Sequence, residues 1–194
     1  MYLFSAIALP QIFNTMSQDV FKFLSKSASS DYVKLADGDK RSIRILSQPV
    51  MGFELFTEGK PVRWRHDQAA PELPSSEERP RKFLAFIVYE YDSAAVKVWQ
   101  FGQRTIIDQL SQLFDSGEHW SSFELVLSRR GSGMETKYSV VGIGRQPEEN
   151  LISFAAEAEQ YVNLDALFDG GSPFIKELPQ LGVEKAEGNT KKAF

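Results

Sequence analysis

The sequence predicts a mainly β fold, a small antiparallel barrel carrying one helix, and three observations lead to this prediction. The 194 residues are 42% hydrophobic and 25% charged, which are ordinary values for a globular domain. Short runs of β-branched and aromatic residues alternate with turn residues along most of the chain. One stretch, Ile106 to Phe114, repeats apolar residues with the period of an amphipathic helix.

The first elements predict a strand and then a hairpin. Ser42 to Val50 is rich in β-branched and apolar residues and follows a turn at residues 37–39. Met51 to Phe56 alternates between two faces, and residues 58–61, Glu-Gly-Lys-Pro, turn the chain back. The next stretch, 66–80, has three prolines, four acidic residues and no apolar period, so it predicts a mobile surface loop.

The strongest predicted strand is Lys82 to Tyr91, which is apolar on both faces and therefore central to a sheet. Ala95 to Phe101 follows after a short turn and is predicted to pair with it. In this second strand Lys97, Trp99 and Phe101 share one face. We expect that face to be more than a solvated surface, because it is both aromatic and basic.

The helix is predicted to begin at a capping box of Thr105 and Asp108 and to end at Gly117. Ser122 to Arg130 and Thr136 to Ile143 then predict a last hairpin. A helix between the third and fourth strands is the order of the five-stranded Greek-key OB barrel, in which that helix plugs the barrel. Other small barrels and sandwiches remain alternatives.

The domain organisation predicted from these elements has four parts. Residues 1–31 form an N-terminal arm, which is partly extraneous if Met16 is the natural start. Residues 32–144 form the barrel, 145–182 a helical extension and 183–194 a disordered tail. The apolar N-terminus is too short to cross a bilayer and lacks a basic leader region, so we expect neither a signal nor a membrane anchor.

Composition excludes several classes of function. The absence of cysteine excludes disulfides, thiol catalysis and thiolate metal sites, and it fits a cytoplasmic protein. With two histidines, we expect no metal site and no cofactor. No catalytic motif is recognisable, because the chain lacks a Walker A lysine, and its Gly-x-Gly segments lack the context of a nucleophile elbow or a dinucleotide loop. The sequence therefore does not predict an enzyme.

The net charge of −4 is unevenly distributed. Residues 33–142 carry 15 basic and 15 acidic residues, whereas residues 143–194 carry 5 and 9. Without the acidic loop 67–80, the barrel region has a charge of +3. A basic barrel between acidic accessories is compatible with a polyanionic ligand, and it makes the segment after residue 143 a candidate competitor for that ligand.

Basic and aromatic residues interleave within the barrel region, the mixture that single-stranded nucleic acid needs, since cations follow phosphates and rings stack on bases. Trp64 lies between two arginines, and we favour the binding face over the core for it. The residues of this pattern are Lys60, Arg63, Trp64, Arg65, Arg79, Arg81, Lys82, Lys97, Trp99, Phe101, Arg129, Arg130, Lys137 and Tyr138.

Several runs resemble the single-stranded DNA-binding replication proteins of tailed phages and prophages. They are LADGDKRSIRILSQPVMGFELF, KPVRW, FIVYEYDSAAVKVWQFGQRTIIDQL and FELVLSRRGSGMETKYSVV, within residues 32–143. The most specific motif is R-x-G-x-G-x-x-T-x-Y, at residues 129–138. The resemblance implies an OB-fold, helix-destabilising protein that coats and protects exposed strands in DNA replication, recombination and repair in the cytoplasm of a bacterial host.

The resemblance also implies a binding groove and partner proteins. The implied groove residues are Arg63, Trp64, Tyr89, Tyr91, Trp99, Arg129, Arg130, Lys137 and Tyr138. Replication or recombination proteins are the implied partners, with a homodimer as an open possibility. The chain departs from its relatives in two ways: it has no cysteine for the zinc that some of them hold, and its tail places Lys191 and Lys192 before Phe194 instead of a dense acidic run.

Two alternatives to single-stranded DNA binding remain. An OB barrel can be a protein-interaction adaptor in a replication or defence complex, with the acidic C-terminal quarter as the docking surface. The ligand can also be single-stranded RNA, because stacking does not sense the 2′-hydroxyl.

Overall fold

The sheet is built around one central strand that is buried on both faces. The computed structural model describes residues 31–72, 79–115, 117, 119–178 and 181. Seven antiparallel strands lie in this part of the chain: β1 (Lys40–Ile45), β2 (Val50–Thr57), β3 (Lys60–Arg65), β4 (Arg81–Glu90), β5 (Ala95–Phe101), β6 (Phe123–Arg130) and β7 (Lys137–Gly144). The predicted mainly β class is confirmed, whereas the predicted count of five strands is wrong.

Two α-helices accompany the sheet in the described residues. Helix α1 (Arg104–Phe114) connects β5 to β6, and α2 (Glu149–Glu157) follows β7. Two short 3-10 segments, Ala158–Gln160 and Leu164–Leu167, continue from α2. The apolar spacing after residue 147 therefore does form a helical segment.

The strands lie in the order β3-β2-β4-β1-β6-β7, and β5 pairs with the other edge of β4. Strands β1 and β2 share one edge of β4, with Ile45 opposite Val88 and Val50 opposite Ala85. The stretch predicted as one strand, 42–50, is thus broken between β1 and β2. The predicted loop at 66–80 is exposed where it is described, and its residues 73–78 lie outside the described part.

The break between β1 and β2 has a local cause. Pro49 has no N–H to donate to a ladder. Before it, the Ser47 hydroxyl accepts the hydrogen bond of the Ile87 N–H at 2.9 Å, and the Leu46 N–H donates to the Ile87 carbonyl at 2.9 Å. The chain therefore stays on the edge of β4 across the break.

The second hairpin strand, β3, explains part of the higher strand count. Strands β2 and β3 are joined by Glu58 and Gly59, both with positive φ (53° and 76°), as a tight hairpin turn requires. The predicted hairpin is confirmed, and β3 is the edge strand of the sheet beside it.

The sheet has two apolar faces, which we call inner and outer. The inner face packs on α1 and carries, among others, Ile43, Phe86, Trp99 and Leu125. The outer face is covered by residues after 150 and carries, among others, Phe83, Ile87, Tyr89 and Val98. Both faces of β4 and β5 are therefore core, as predicted for β4.

The predicted capping box of α1 is wrong. The helix begins at Arg104, and Gln103 is the N-cap residue, without a side-chain capping bond. Thr105 lies inside the first turn, and Asp108 forms an ion pair with Arg104 at 3.5 Å. The predicted end is confirmed, because Gly117 has φ +80° and donates its N–H to the Phe114 carbonyl.

Helix α1 also protects the exposed edge of β7. The Gln109 side chain donates to the Tyr138 carbonyl at 3.2 Å and accepts from the Val140 N–H at 2.8 Å. These two contacts replace those that a neighbouring strand would make. An unprotected sheet edge is a template for pairing with another chain.

We predict that Gln109→Ala lowers the free energy of unfolding by about 1–3 kcal/mol, because it leaves a part-buried N–H and carbonyl without partners. Urea denaturation measures the change. The matched control, Gln112→Ala on an exposed position of the same helix, should stay within about 0.5 kcal/mol of wild type. Equal stability of the two variants would contradict the role of Gln109.

Candidate nucleic-acid interface

Five of the side chains predicted to bind DNA are buried, each at most 7% exposed: Trp64, Tyr89, Tyr91, Lys97 and Trp99. Trp99 lies in the inner core, with its ring centroid 4.3 Å from that of Phe101. The aromatic face of β5 is therefore occupied by α1 and β4 and is not open for binding. In this conformation no nucleobase can reach the four aromatic rings, those of Trp64, Tyr89, Tyr91 and Trp99.

The outer face of the sheet is covered by the described part of the C-terminal segment, residues 147–178 and 181, which we call the covering segment. The segment contributes six apolar residues to the outer core, each at most 7% exposed: Leu151, Phe154, Ala158, Val162, Leu164 and Leu167. The Tyr89 hydroxyl donates to the Leu181 carbonyl at 3.0 Å beneath it. A large apolar side chain contributes about 1.5–3 kcal/mol on burial, so lifting this segment would cost a sum comparable to the stability of a whole domain. A segment that competes with DNA for this face would have to be held more weakly than the C-terminal segment is.

A buried arginine joins β1 to residues that follow β4, precede β6 and follow β7. Arg44 is 0% exposed, and its Nε donates to the Tyr91 hydroxyl at 2.8 Å. Its two terminal nitrogens donate to the carbonyls of Ser121, at 2.5 Å, and Arg145, at 2.9 Å. One side chain therefore connects β1, β4, the start of β6 and the end of β7.

The charge of Arg44 is balanced through a short network. Tyr91 donates to Glu148 at 3.2 Å, while Arg145 pairs with Glu148 at 2.6 Å and with Glu124 at 2.9 Å. Burial raises the pKa of Tyr91, and the hydrogen bond from Arg44 offsets only part of that rise. Burial lowers the pKa of Arg145. The hydrogen bond of Arg145 to Glu124 and the charge of Glu148 outweigh the effect of burial, so the pKa of Arg145 is raised overall.

The arginines of β3 belong to the same covered face. Arg63 contacts one carboxylate oxygen of Glu54 through its Nε and a terminal nitrogen, both at 2.7 Å, and lies 4.6 Å over the Phe83 ring. Arg65 pairs with Asp165 of the covering segment at 2.7 Å. The charges of both arginines are already partnered within the fold.

Lys97 is also engaged. Its ammonium group pairs with the Glu90 carboxylate in the inner part of the sheet, and both side chains are less than 10% exposed. Glu90 also lies 4.0 Å from Arg41. The alternation of β5 correctly places Lys97 beside Trp99, but the face is closed.

The remaining candidates lie on two surfaces that are open to solvent. The first, which we call the hairpin-end surface, is the end of the β3-β2-β4 region. Phe53, Lys60 and Lys82 lie on its inner face, and Phe56 and Arg81 lie on its outer face. Phe56 is 42% exposed, Phe53 is half-buried and the three bases are exposed. Lys82 lies directly opposite Phe53, and Arg81 lies opposite Glu54.

The basic side chains of the hairpin-end surface have no acidic partner among the described residues. The carboxylate opposite Arg81 is that of Glu54, which Arg63 already holds. Within the residues that the structure describes, Lys60, Arg81 and Lys82 form no ion pair. Their charges are therefore available to an anion. The sequence pattern pointed to the bases but not to the two phenylalanines, although the aromatic residues on both faces of β2 were a usable signal.

The second open surface lies on β1, β6 and β7, and we call it the β6-β7 surface. It consists of Lys40, Ser128, Arg130, Lys137 and Ser139 on the outer face. Arg130 and Lys137 are directly opposite each other, and both are exposed.

Arg129 and Tyr138, the two other candidates of this hairpin, lie on its inner side. Arg129 donates to the Leu35 carbonyl at 2.8 Å and lies 5.9 Å over the half-buried Tyr138 ring. Its Nε is buried without a hydrogen-bond partner in the described residues. We assign both residues mainly to the support of the hairpin.

The two open surfaces do not form one groove. Lys82 is at the start of β4, whereas Lys40 is level with residues beyond the end of β4, because the Tyr91 N–H donates to the Ser42 carbonyl. A strand of ten residues spans roughly 30 Å. The predicted set of DNA-binding residues is thus divided into a buried group and two separate exposed groups.

Comparisons with protein-family models, curated proteins and solved structures found no match for this chain. In the described ranges, no group of three or more histidine, aspartate or glutamate side chains has a metal-binding arrangement. No described helix is both long and apolar enough to cross a membrane.

We predict that Tyr91→Phe lowers the free energy of unfolding by about 1–3 kcal/mol near neutral pH, because the buried Arg44 Nε and Glu148 lose a partner. The effect should change with pH. The pKa of Tyr91 is higher in the folded protein than its ordinary value of 10.0. The protonated Tyr91 hydroxyl therefore contributes fully to the free energy of unfolding below pH 10.0, and this contribution is lost as the pH rises through the folded-state pKa.

The unfolding free energy of wild type should therefore fall more steeply above pH 10 than that of Tyr91→Phe. Denaturant titrations between pH 8 and pH 11 measure both curves. Parallel curves at all pH values would contradict the assignment of Tyr91 to this network.

Proposed function

We propose that this chain is a non-enzymatic, sequence-independent single-stranded DNA-binding protein, and that the hairpin-end surface is its binding site. One observation carries the proposal: three basic side chains without an ion pair in the described residues, Lys60, Arg81 and Lys82, lie at the same end of the sheet as the accessible rings of Phe53 and Phe56. Phe53 and Lys82 lie on one face of this end, and Phe56 and Arg81 lie on the other. Cations that follow phosphates beside rings that stack on bases are the requirement for binding an unpaired strand.

The expected energetics follow from these groups. A stacked base contributes about 1–3 kcal/mol and does so for any base. Each phosphate contact contributes a term that weakens as salt is added. Such a protein binds the unpaired state and not the duplex at this surface, so it destabilises hairpins by mass action.

The resemblance of residues 32–143 to the phage single-stranded DNA-binding replication proteins supports the same proposal. It adds the biological role: coating and protecting exposed strands during DNA replication, recombination and repair in a bacterial host cell. Replication or recombination proteins are then the expected partners.

An OB barrel is the fold that we propose within the mainly β class. Strands β1 and β2 together would be its long first strand, β4 and β5 its second and third, and β6 and β7 its fourth and fifth. In support, β1 pairs with both β4 and β6, and α1 precedes β6. Strand β3 would then be an addition to the loop after the first strand.

Binding of fluorescently labelled oligo-dT, measured by anisotropy between 50 and 200 mM salt, tests the proposal. Phe56→Ala should weaken binding by about 1–3 kcal/mol with little change in the salt slope. Lys60→Ala/Lys82→Ala should reduce the steepness of the logarithmic salt slope by about 1.4, because two phosphate contacts are lost.

The control is Lys176→Ala, which removes one exposed charge from the C-terminal segment. It should bind like wild type. Competition with oligo-U measures the preference for DNA over RNA. Absence of oligo-dT binding at micromolar protein, together with a partner protein that survives nuclease treatment, would replace this proposal with the adaptor function.

A further inference from the structure

We infer that the β6-β7 surface is a second nucleic-acid site, one that binds the phosphate backbone of duplex DNA. The protein would then prefer junctions between single-stranded and double-stranded DNA. The inference rests on the proposed function, because the hairpin-end surface supplies the single-strand contact.

The charge arrangement of the β6-β7 surface is the first argument. Arg130 and Lys137 are directly opposite each other across two strands, where like charges repel. Lys40 lies on the next strand, opposite Ser128. None of the three forms an ion pair within the described ranges of the chain. An anion would remove this repulsion.

The nearby acidic residues do not neutralise these bases. The Asp37 carboxylate accepts the Gly131 N–H at 2.6 Å, and the Asp39 carboxylate accepts the Ala36 N–H and pairs with Arg41 at 3.3 Å. Glu135 is the one acidic residue of the hairpin loop 131–136. Five basic residues, Lys40, Arg41, Arg129, Arg130 and Lys137, thus face three acidic ones, and the end of the hairpin keeps a net positive charge.

The side chains around Lys40, Arg130 and Lys137 determine which type of ligand the surface binds. Ser128 and Ser139 are hydroxyls on the same face, and both can donate to phosphate oxygens. Farther along this face lie Val141, 53% exposed, and Ile143, 48% exposed. No aromatic ring lies on the outer face of β6 or β7, so the nucleobases of DNA have nothing on which to stack.

A surface with basic side chains and hydroxyl groups but no aromatic ring recognises the phosphate backbone of DNA alone. Duplex DNA presents regular phosphate rows with its bases turned inward, so such a surface binds it without unpairing. The hairpin-end surface, by contrast, has rings and favours unpaired bases. The two surfaces differ in chemistry as well as in position.

The distance between the surfaces sets the size of the ligand. They are separated by about the length of β4, roughly 30 Å. At 3.4 Å per base pair this is roughly nine base pairs. A short duplex with a single-stranded overhang can therefore contact both surfaces at once.

The experiment compares the affinities of a 12-base-pair duplex carrying a dT10 overhang, of dT10 alone and of the blunt duplex. Wild type should bind the overhang duplex at least tenfold more tightly than dT10. Arg130→Ala/Lys137→Ala should reduce this ratio to about one while leaving the affinity for dT10 within twofold of wild type. The control Lys176→Ala should keep the wild-type ratio.

The possible failures are distinguishable. If wild type binds dT10 and the overhang duplex equally, the inference is overturned and the proposed function stands. If Arg130→Ala/Lys137→Ala weakens dT10 and the overhang duplex to the same degree, the β6-β7 surface is part of the single-strand site and the inference is also overturned. If dT10 does not bind at all, the proposed function fails and the inference fails with it.

Discussion

The burial of Arg44 is the constraint on which the arrangement of this protein depends. A guanidinium group with no exposed area must donate to several acceptors at once, and here the acceptors are Tyr91, Ser121 and Arg145. They come from three different parts of the chain. The hydrogen bonds therefore hold the end of β7 against β1 and β4, and the chain after β7 must leave across the outer face of the sheet.

The position of the C-terminal segment determines where a ligand can bind. It covers Tyr89, Tyr91 and the arginines of β3, so the middle of the sheet is core and not a groove. The two open basic surfaces lie at the two ends of the sheet. The hairpin-end surface has aromatic rings beside basic side chains. The β6-β7 surface has basic side chains beside hydroxyl groups. A single feature of the interior thus gives the protein two separated and chemically different surfaces.

The sequence predicted the strands and α1 well, because a period of two or of 3.6 residues is a local property. It did not predict the burial of Tyr89 and Trp99. A strand that is apolar on both faces indicates that both are covered, but it does not indicate which element covers them. A signal was present in the apolar spacing of Leu151, Phe154 and Ala158, since an amphipathic helix after the last strand needs a surface on which to pack. The break before Pro49 and the pairing of Arg63 with Glu54 depend on contacts between strands, which composition does not reveal.

Hydrogen exchange with and without oligo-dT tests most directly the claim that a single strand binds at the end of the sheet while the covering segment stays in place. The account predicts slower exchange in residues 51–60 and 79–84 on binding, with unchanged exchange in the covering segment 147–178. Faster exchange in that segment together with slower exchange in residues 85–91 would show that DNA displaces it from the outer face, and would contradict the account.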